Sequence, residues 1–376
     1  MWDRRRFLLG SAGMGAAALA GCATLPAAGE DIRALLGQAV GGRPDAGMIA
    51  IVIDGSASRT VTVGSTGVPG LALDGDTVFE IMSITKVLTS LLLSDMVGRG
   101  EVSFDDPVVK YLPGSVTLAM RGRPVTLLDL ATYSSGLPNM PGNLPPNWYA
   151  RPDPLADYTQ AQLHEFLSGY VPEYEPGTHY RYANIAFGLL GNALAQRSGS
   201  SYEELLITRV CEPLGLGHTR ITLTDEMRRH LVQGHDLEGK PAPLWNFPAM
   251  PGAGTVRTNA NDLTVFLKAC MGVTRTPLSA SLTRLRETRR PTNLAGTQAG
   301  LGWYITASGS DEIAWKTGLS GGCNTYVGFS ARRRRGAILL SNFLWRPLDT
   351  GTINLGMQLI APDFNPRDFG ALNSSD

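Results

Sequence analysis

Ser83-Ile84-Thr85-Lys86 is the only S-x-x-K in the chain. On a helix, positions i and i+3 share a face, so the hydroxyl and the amine can touch. A serine hydroxyl is a weak nucleophile until a neighbouring base takes its proton. A lysine can be that base only if burial or a nearby positive charge brings its pKa well below the free value of about 10.4. Residues 83–97 form a strongly apolar run without glycine or proline, which supplies the burial. Two further motifs occur once each: Tyr182-Ala183-Asn184, and Lys316-Thr317-Gly318 at the end of an apolar strand pattern. The chain holds only five lysines, at 86, 110, 240, 268 and 316, and two of them fall in these motifs. All three motifs in this order would arise by chance on the order of once in a thousand such sequences.

Other chemistries fit less well. Gly318-Leu319-Ser320-Gly321-Gly322 matches the G-x-S-x-G nucleophile elbow, which needs a strand–turn–helix setting and a later histidine. No histidine follows Ser320, and a strand pattern comes after it, so Ser320 is not read as a nucleophile. The five histidines show no H-E-x-x-H, and no cysteine spacing suggests a metal or redox pair. No metal or organic cofactor is expected. Lysine plus arginine balances aspartate plus glutamate at 33 each, which argues against a nucleic-acid partner. The tetra-arginine run 332–335 lies between two strand patterns and reads as a solvated hairpin turn.

The elements that must position these residues follow from periodicity. A helix is predicted over 27–40 and strands over 48–54 and 60–63, joined at Gly55-Ser56. The helix carrying Ser83 and Lys86 covers 83–97. A Gly- and Pro-rich stretch runs from 135 to 154. Helices follow near 160–168, 185–197, 202–210, 261–271 and 279–286. Strands return at 302–306, 312–315, 325–329 and 336–341, and a last helix covers 348–360. Strands at both ends with helices between imply one mostly antiparallel sheet assembled from the two termini, flanked by helices, plus an inserted all-helical domain. The α/β part is placed at about 29–85 and 290–376, and the helical part at about 86–289.

The first residues read as a targeting segment. Asp3-Arg4-Arg5-Arg6-Phe7-Leu8 resembles a twin-arginine export signal, and Leu19-Ala20-Gly21-Cys22 resembles a bacterial lipobox. The implication is a signal peptide over 1–21, cleavage before Cys22, and a lipid on its sulfur that holds the protein on the periplasmic face of a membrane without spanning it. Cys211, Cys270 and Cys323 remain, an odd number, and read as small buried hydrophobes.

S-x-x-K, Y-x-N and K-T-G together resemble the serine β-lactamase and penicillin-binding protein superfamily. The Y-x-N element resembles class C β-lactamases, D,D-peptidases and their related esterases. Further stretches are similar to the same branch: Phe79-Glu80, Thr126–Leu130 with Ser135-Gly136-Leu137-Pro138, Pro176-Gly177-Thr178, Glu212–Leu216 and 255–262. The resemblance covers about residues 30 to 345. It implies an α/β sandwich plus a helical domain, with the site in the cleft between them. It also implies roles. Ser83 attacks and is acylated, Lys86 shares its proton, and Tyr182 acts as base or shuttle. Asn184 holds the substrate amide and orients Lys86. Lys316, Thr317 and Gly318 form the carboxylate-reading strand end, and the N–H groups of Ser83 and Leu319 form the oxyanion hole. The implied function is cleavage of β-lactam amides or D-Ala-D-Ala-type peptides by a monomer whose only partners are a small-molecule or peptidoglycan-peptide substrate and the membrane. A carboxylesterase and a non-hydrolytic penicillin-binding sensor are the alternatives. The chain departs from the class C pattern at Met82 for glycine, Thr85 for a smaller residue and Leu319 for a small residue. The usual amide-reading glutamine is replaced near Asn139 or Met140. The carboxylate-reading asparagine of the last helix has no counterpart, where Arg346 is a substitute.

Overall fold

A computed structural model describes residues 29–345 and 350–364. The export signal, Cys22 and Arg346 lie outside these residues. The strands are β1 Gly47–Asp54, β2 Ala57–Gly64, β3 Val78–Glu80, β4 Gly234–His235, β5 Pro241–Ala242, β6 Arg257–Asn259, β7 Arg290–Pro291, β8 Thr297–Ala299, β9 Tyr304–Ser308, β10 Asp311–Leu319, β11 Asn324–Ser330 and β12 Arg335–Ser341. Eight of them form one sheet in the order β2-β1-β12-β11-β10-β9-β8-β7. Every named pairing is antiparallel. The two ends of the chain are joined in the sheet by β1 against β12, with Met48 opposite Ser341 and Asp54 opposite Arg335. The sheet is thus mostly antiparallel, flanked by helices and built from both ends of the chain, as the periodicity predicts.

Sequence explains which strands are central. β1 and β12 are near-continuous apolar runs, and both they and β11 are buried along almost their whole length, as strands covered on both faces must be. β2 carries Ser58, Arg59 and Thr60 and is exposed over its first half, as an edge strand should be. Tyr326 and Phe329 are three residues apart on β11 and so face opposite sides. Tyr326 lies against Gly356 of the helix Thr350–Ile360. Gly336, paired with Phe329, lies against Met271 at the end of the helix Ala260–Cys270. One helix therefore covers each face. The N-terminal helix Gly29–Val40 packs on β1 and β2.

The serine helix is the buried axis of the molecule. A 3₁₀ turn, Met82–Ile84, leads into an α-helix, Thr85–Gly98, whose residues from Thr85 to Met96 are all buried. It packs against Asn184–Ser198 and Ser279–Glu287. Ser83 therefore sits on the tight entry turn and not on the helix proper. A helix predicted over 202–210 is instead an α-turn, Tyr202–Leu206, followed by a π-turn, Ile207–Cys211. The short pair β3–β6 escaped prediction because three-residue strands carry no period. No described helix is long and apolar enough to cross a membrane.

Candidate active site

Ser83 reaches its position through backbone strain one residue earlier. Met82 has φ 42, in the left-handed region that bulky residues avoid. This explains why glycine is the natural choice there, and the turn keeps its shape with methionine because its surroundings are packed. Ile81 donates its N–H to Val256 O, and Val256 N–H donates to Thr85 Oγ1 at 3.1 Å. Thr85 is thus a strut between the serine turn and the 250s loop.

Ser83 Oγ lies 2.6 Å from Tyr182 Oη and 2.9 Å from Lys86 Nζ. Lys86 is fully buried, and its Nζ also donates to Asn184 Oδ1 at 2.8 Å and to Ala253 O at 2.6 Å. Burial pushes the Lys86 ammonium well below the usual lysine range, and the charge of Lys316 pushes it further in the same direction. A neutral amine has two N–H donors and one lone pair. In that form Asn184 and Ala253 would accept the two donors, and the lone pair would be left for the serine proton. Asn184 is in turn fixed by Asn139, whose Oδ1 accepts from Asn184 Nδ2 at 2.8 Å and whose carbonyl accepts from Asn184 N at 3.0 Å. Asn184 opens its helix with no side-chain cap at that end, so its amide serves the lysine and not the helix terminus.

Lys316, Thr317, Gly318 and Leu319 form the end of β10. A Cβ on Gly318 would lie 2.0 Å from Ile81 O, so only glycine lets the strand press against the serine turn. Lys316 is buried, while Ser83, Tyr182, Asn184, Thr317 and Leu319 are half-buried. Its ammonium stands over the rings of Tyr182, Tyr304 and Tyr133, at 4.8, 4.7 and 5.7 Å from their centroids. The structure therefore brings Ser83, Lys86, Tyr182, Asn184 and Lys316 together. Asn342 is buried, and its amide donates to Asp45 O, Ser65 O and Gln233 O.

Three groups at the site were not singled out by sequence: Tyr133, Tyr304 and the Ala253 carbonyl. A backbone acceptor leaves no sequence signal, and the two tyrosines stand outside the motifs. Glu80 is a fourth, marked in the sequence only within the Phe79-Glu80 stretch. Its carboxylate accepts from Trp245 N at 2.7 Å and pairs with Arg257 at 3.5 Å, both side chains being buried. Burial pushes the Glu80 carboxyl up to about 7, against the opposing pull of Arg257 and of hydrogen bonds from Trp245 and Ser320.

A serine, an amine and a phenol in one hydrogen-bonded group, with a second lysine charging the same space, define a serine hydrolase that works through an acyl-enzyme. The chain belongs to the β-lactamase family: the family model described as Beta-lactamase matches residues 32–351. It is 31% identical over 313 residues to the D-alanyl-D-alanine-carboxypeptidase/endopeptidase AmpH of Escherichia coli (strain K12), covering 78% of each chain. It is 28% identical over 302 residues to a β-lactamase of the same organism, covering 71% of this chain and 75% of the other. Among solved structures, a β-lactamase/D-alanine carboxypeptidase from Yersinia pestis, complexed with citrate, is similar at TM-score 0.75 and 25% identity over 88% of this chain and 98% of that one. Another from Pseudomonas syringae shares the fold at TM-score 0.76 and 21% identity, over 87% of this chain and 97% of that one.

Proposed function

We propose that the protein hydrolyses D-Ala-D-Ala-type peptides through an acyl-Ser83 intermediate, and that β-lactam amides acylate the same serine. The observation that carries this reading is the position of Ser83 Oγ between Tyr182 Oη and Lys86 Nζ, with Lys86 buried in a form suited to accept a proton. Ser83 attacks the carbonyl as its proton moves to Lys86 or Tyr182. The backbone N–H groups of Ser83 and Leu319 stabilise the oxyanion, where electrostatic stabilisation is greatest. The C–N bond breaks as Tyr182 returns the proton to the leaving nitrogen, and water then releases the acyl group by the reverse path. Lys316 and Thr317 read the substrate carboxylate. The name of the Escherichia coli relative and the retained Lys316 support an amide substrate bearing a carboxylate. Leu319, with a bulky side chain at the cleft, and Asn139, engaged by Asn184 where the pattern has a glutamine, favour peptide cleavage over rapid β-lactam turnover. Export, a lipid on Cys22 and a monomeric state complete the proposal.

The test combines turnover and intact mass for three compounds: a D-Ala-D-Ala peptide, nitrocefin and p-nitrophenyl butyrate. Release of D-alanine, with a nitrocefin adduct on Ser83 that clears slowly, is the expected result. Ester turnover with neither D-alanine release nor a nitrocefin adduct would replace the amide reading with the esterase one.

A further inference from the structure

The seat of Lys316 is built from strained and pinned parts. Tyr133 stacks on Tyr182 at 5.4 Å and 16°, and on Tyr304 at 5.5 Å and 12°. Its backbone has φ 57, a conformation a bulky residue holds only when its surroundings force it. Tyr133 Oη donates to Gly302 O at 2.9 Å, and its carbonyl accepts from Arg181 N at 2.7 Å. Tyr304 Oη is hydrogen-bonded to Tyr180 Oη at 2.7 Å. Three separate segments of chain thus converge on one ammonium group.

We propose that Tyr133 and Tyr304 are positioning residues for acylation: with Tyr182 they form an aromatic seat that keeps the Lys316 ammonium charged and fixed beside the reacting phenol. A ring face attracts a cation through its quadrupole, more strongly where water is excluded. Burial alone favours the neutral amine. A carboxylate placed here would hold the proton too, but it would cancel the positive potential that a substrate carboxylate and the Tyr182 phenol feel. Ring faces help to hold the proton without adding a negative charge of their own. Titratable groups facing Lys316 include Lys86, which repels its charge, and the phenols of Tyr133, Tyr182 and Tyr304, with Tyr180 behind Tyr304. The inference rests on the acyl-serine reading and is indifferent to the substrate, so any acyl donor that reacts with Ser83 reports on it.

Tyr304 is replaced by Phe, by phenylalanines carrying one to three ring fluorines, and by Leu. The fluorinated rings keep their shape while their faces lose negative potential. The pH profile of acylation by nitrocefin or p-nitrophenyl butyrate is then measured, with thermal unfolding to confirm folding. Tyr304→Phe should leave the alkaline limb within about 0.3 units, and successive fluorines should lower it stepwise. The trifluorinated ring and Tyr304→Leu should lower it by about one unit, with roughly tenfold slower acylation above that limb. With five lysines in the chain, the Lys316 side chain can also be titrated directly by carbon-13 NMR in the same series. That titration should move to lower pH in parallel. A Lys316 titration unmoved across the folded variants overturns the seat. Acylation that fails in the unsubstituted protein overturns the functional reading instead, and the NMR series still decides the seat.

Discussion

Two serines stand on neighbouring turns, one entering the buried helix and one following β10, and their surroundings differ in every respect that matters. Ser83 is half-buried and shares its hydroxyl with an amine and a phenol. Ser320 is buried, accepts from Gly322 N at 3.2 Å and from Cys323 N at 2.9 Å, and bonds the Glu80 carboxyl. The first hydroxyl is placed beside groups that can take its proton. The second is spent on shaping a turn, as serine does where it replaces a backbone partner. A local motif points to both, and only the partners separate them.

The largest test of that contrast is Ser83→Ala. It should abolish acylation by every donor, a loss of at least about a thousandfold, because no other group supplies the nucleophile. Intact mass after incubation with nitrocefin checks it, and an adduct on the variant would overturn the assignment of Ser83.

Next comes Lys316→Ala, which separates binding of a carboxylate from chemistry at the serine. Charge-assisted contacts are worth about 1.5–3 kcal/mol each. The kcat/KM for a D-Ala peptide should therefore fall roughly ten- to a hundredfold or more. The neutral p-nitrophenyl butyrate, with a good leaving group and no carboxylate, should lose much less. Equal losses would show that Lys316 does not read the carboxylate.

Glu80 joins the two turns and gives a stability test. Its folded pKa of about 7 lies above its ordinary 4.5. The folded state then holds a proton that the unfolded state releases, so the contribution of Glu80 to stability is greatest below pH 4.5 and is lost as pH rises through 7. The full loss is about 3 kcal/mol. Denaturant unfolding at pH 4.5 and pH 8 should show this slope, and Glu80→Gln should flatten it. Identical slopes in both proteins would mean that Glu80 does not titrate in that window.

The smallest effect should be that of Ser320→Ala. Two buried N–H groups lose an acceptor, which costs about 1–3 kcal/mol of stability. Acylation should change by no more than about fivefold, read in the same mass assay. A dead Ser320 variant with an active Ser83 variant would reverse the comparison.

The chemistry of the site was legible in sequence where it depends on particular side chains at fixed spacing. Ser83 and Lys86 share one face of a turn, and Lys316-Thr317-Gly318 needs glycine last because Ile81 O leaves no room for a Cβ. The sheet was legible because β1 and β12 carry apolar runs and β11 is rich in aromatic and β-branched residues. The supports of the site were not. Ala253 contributes a carbonyl, which any residue carries. Tyr133 and Tyr304 are 171 positions apart and meet only through tertiary stacking. The pair β3–β6 is too short for a period to show. Asn139 stands where the family pattern led to a glutamine, but its role in holding Asn184 depends on a contact between separate loops.

The pair of strands that joins the two ends of the chain also dictates when the protein can become active during its synthesis. β1 is among the first strands made, yet its partner β12 ends at Ser341. Gly47 N–H donates to Asn342 Oδ1 at 2.7 Å, a bond between residues 295 positions apart. Ser83 and Lys316 are likewise separated by most of the chain. A ribosome at about 5–20 residues per second therefore carries the β1–β2 hairpin with the inner edge of β1 unpaired for many seconds. Early strands of this length and apolarity are exposed to aggregation in that interval. Nucleophile and charge come together only once nearly the whole sequence is out, so a chain cut short before β12 lacks the strand on which β1 and β11 both pair.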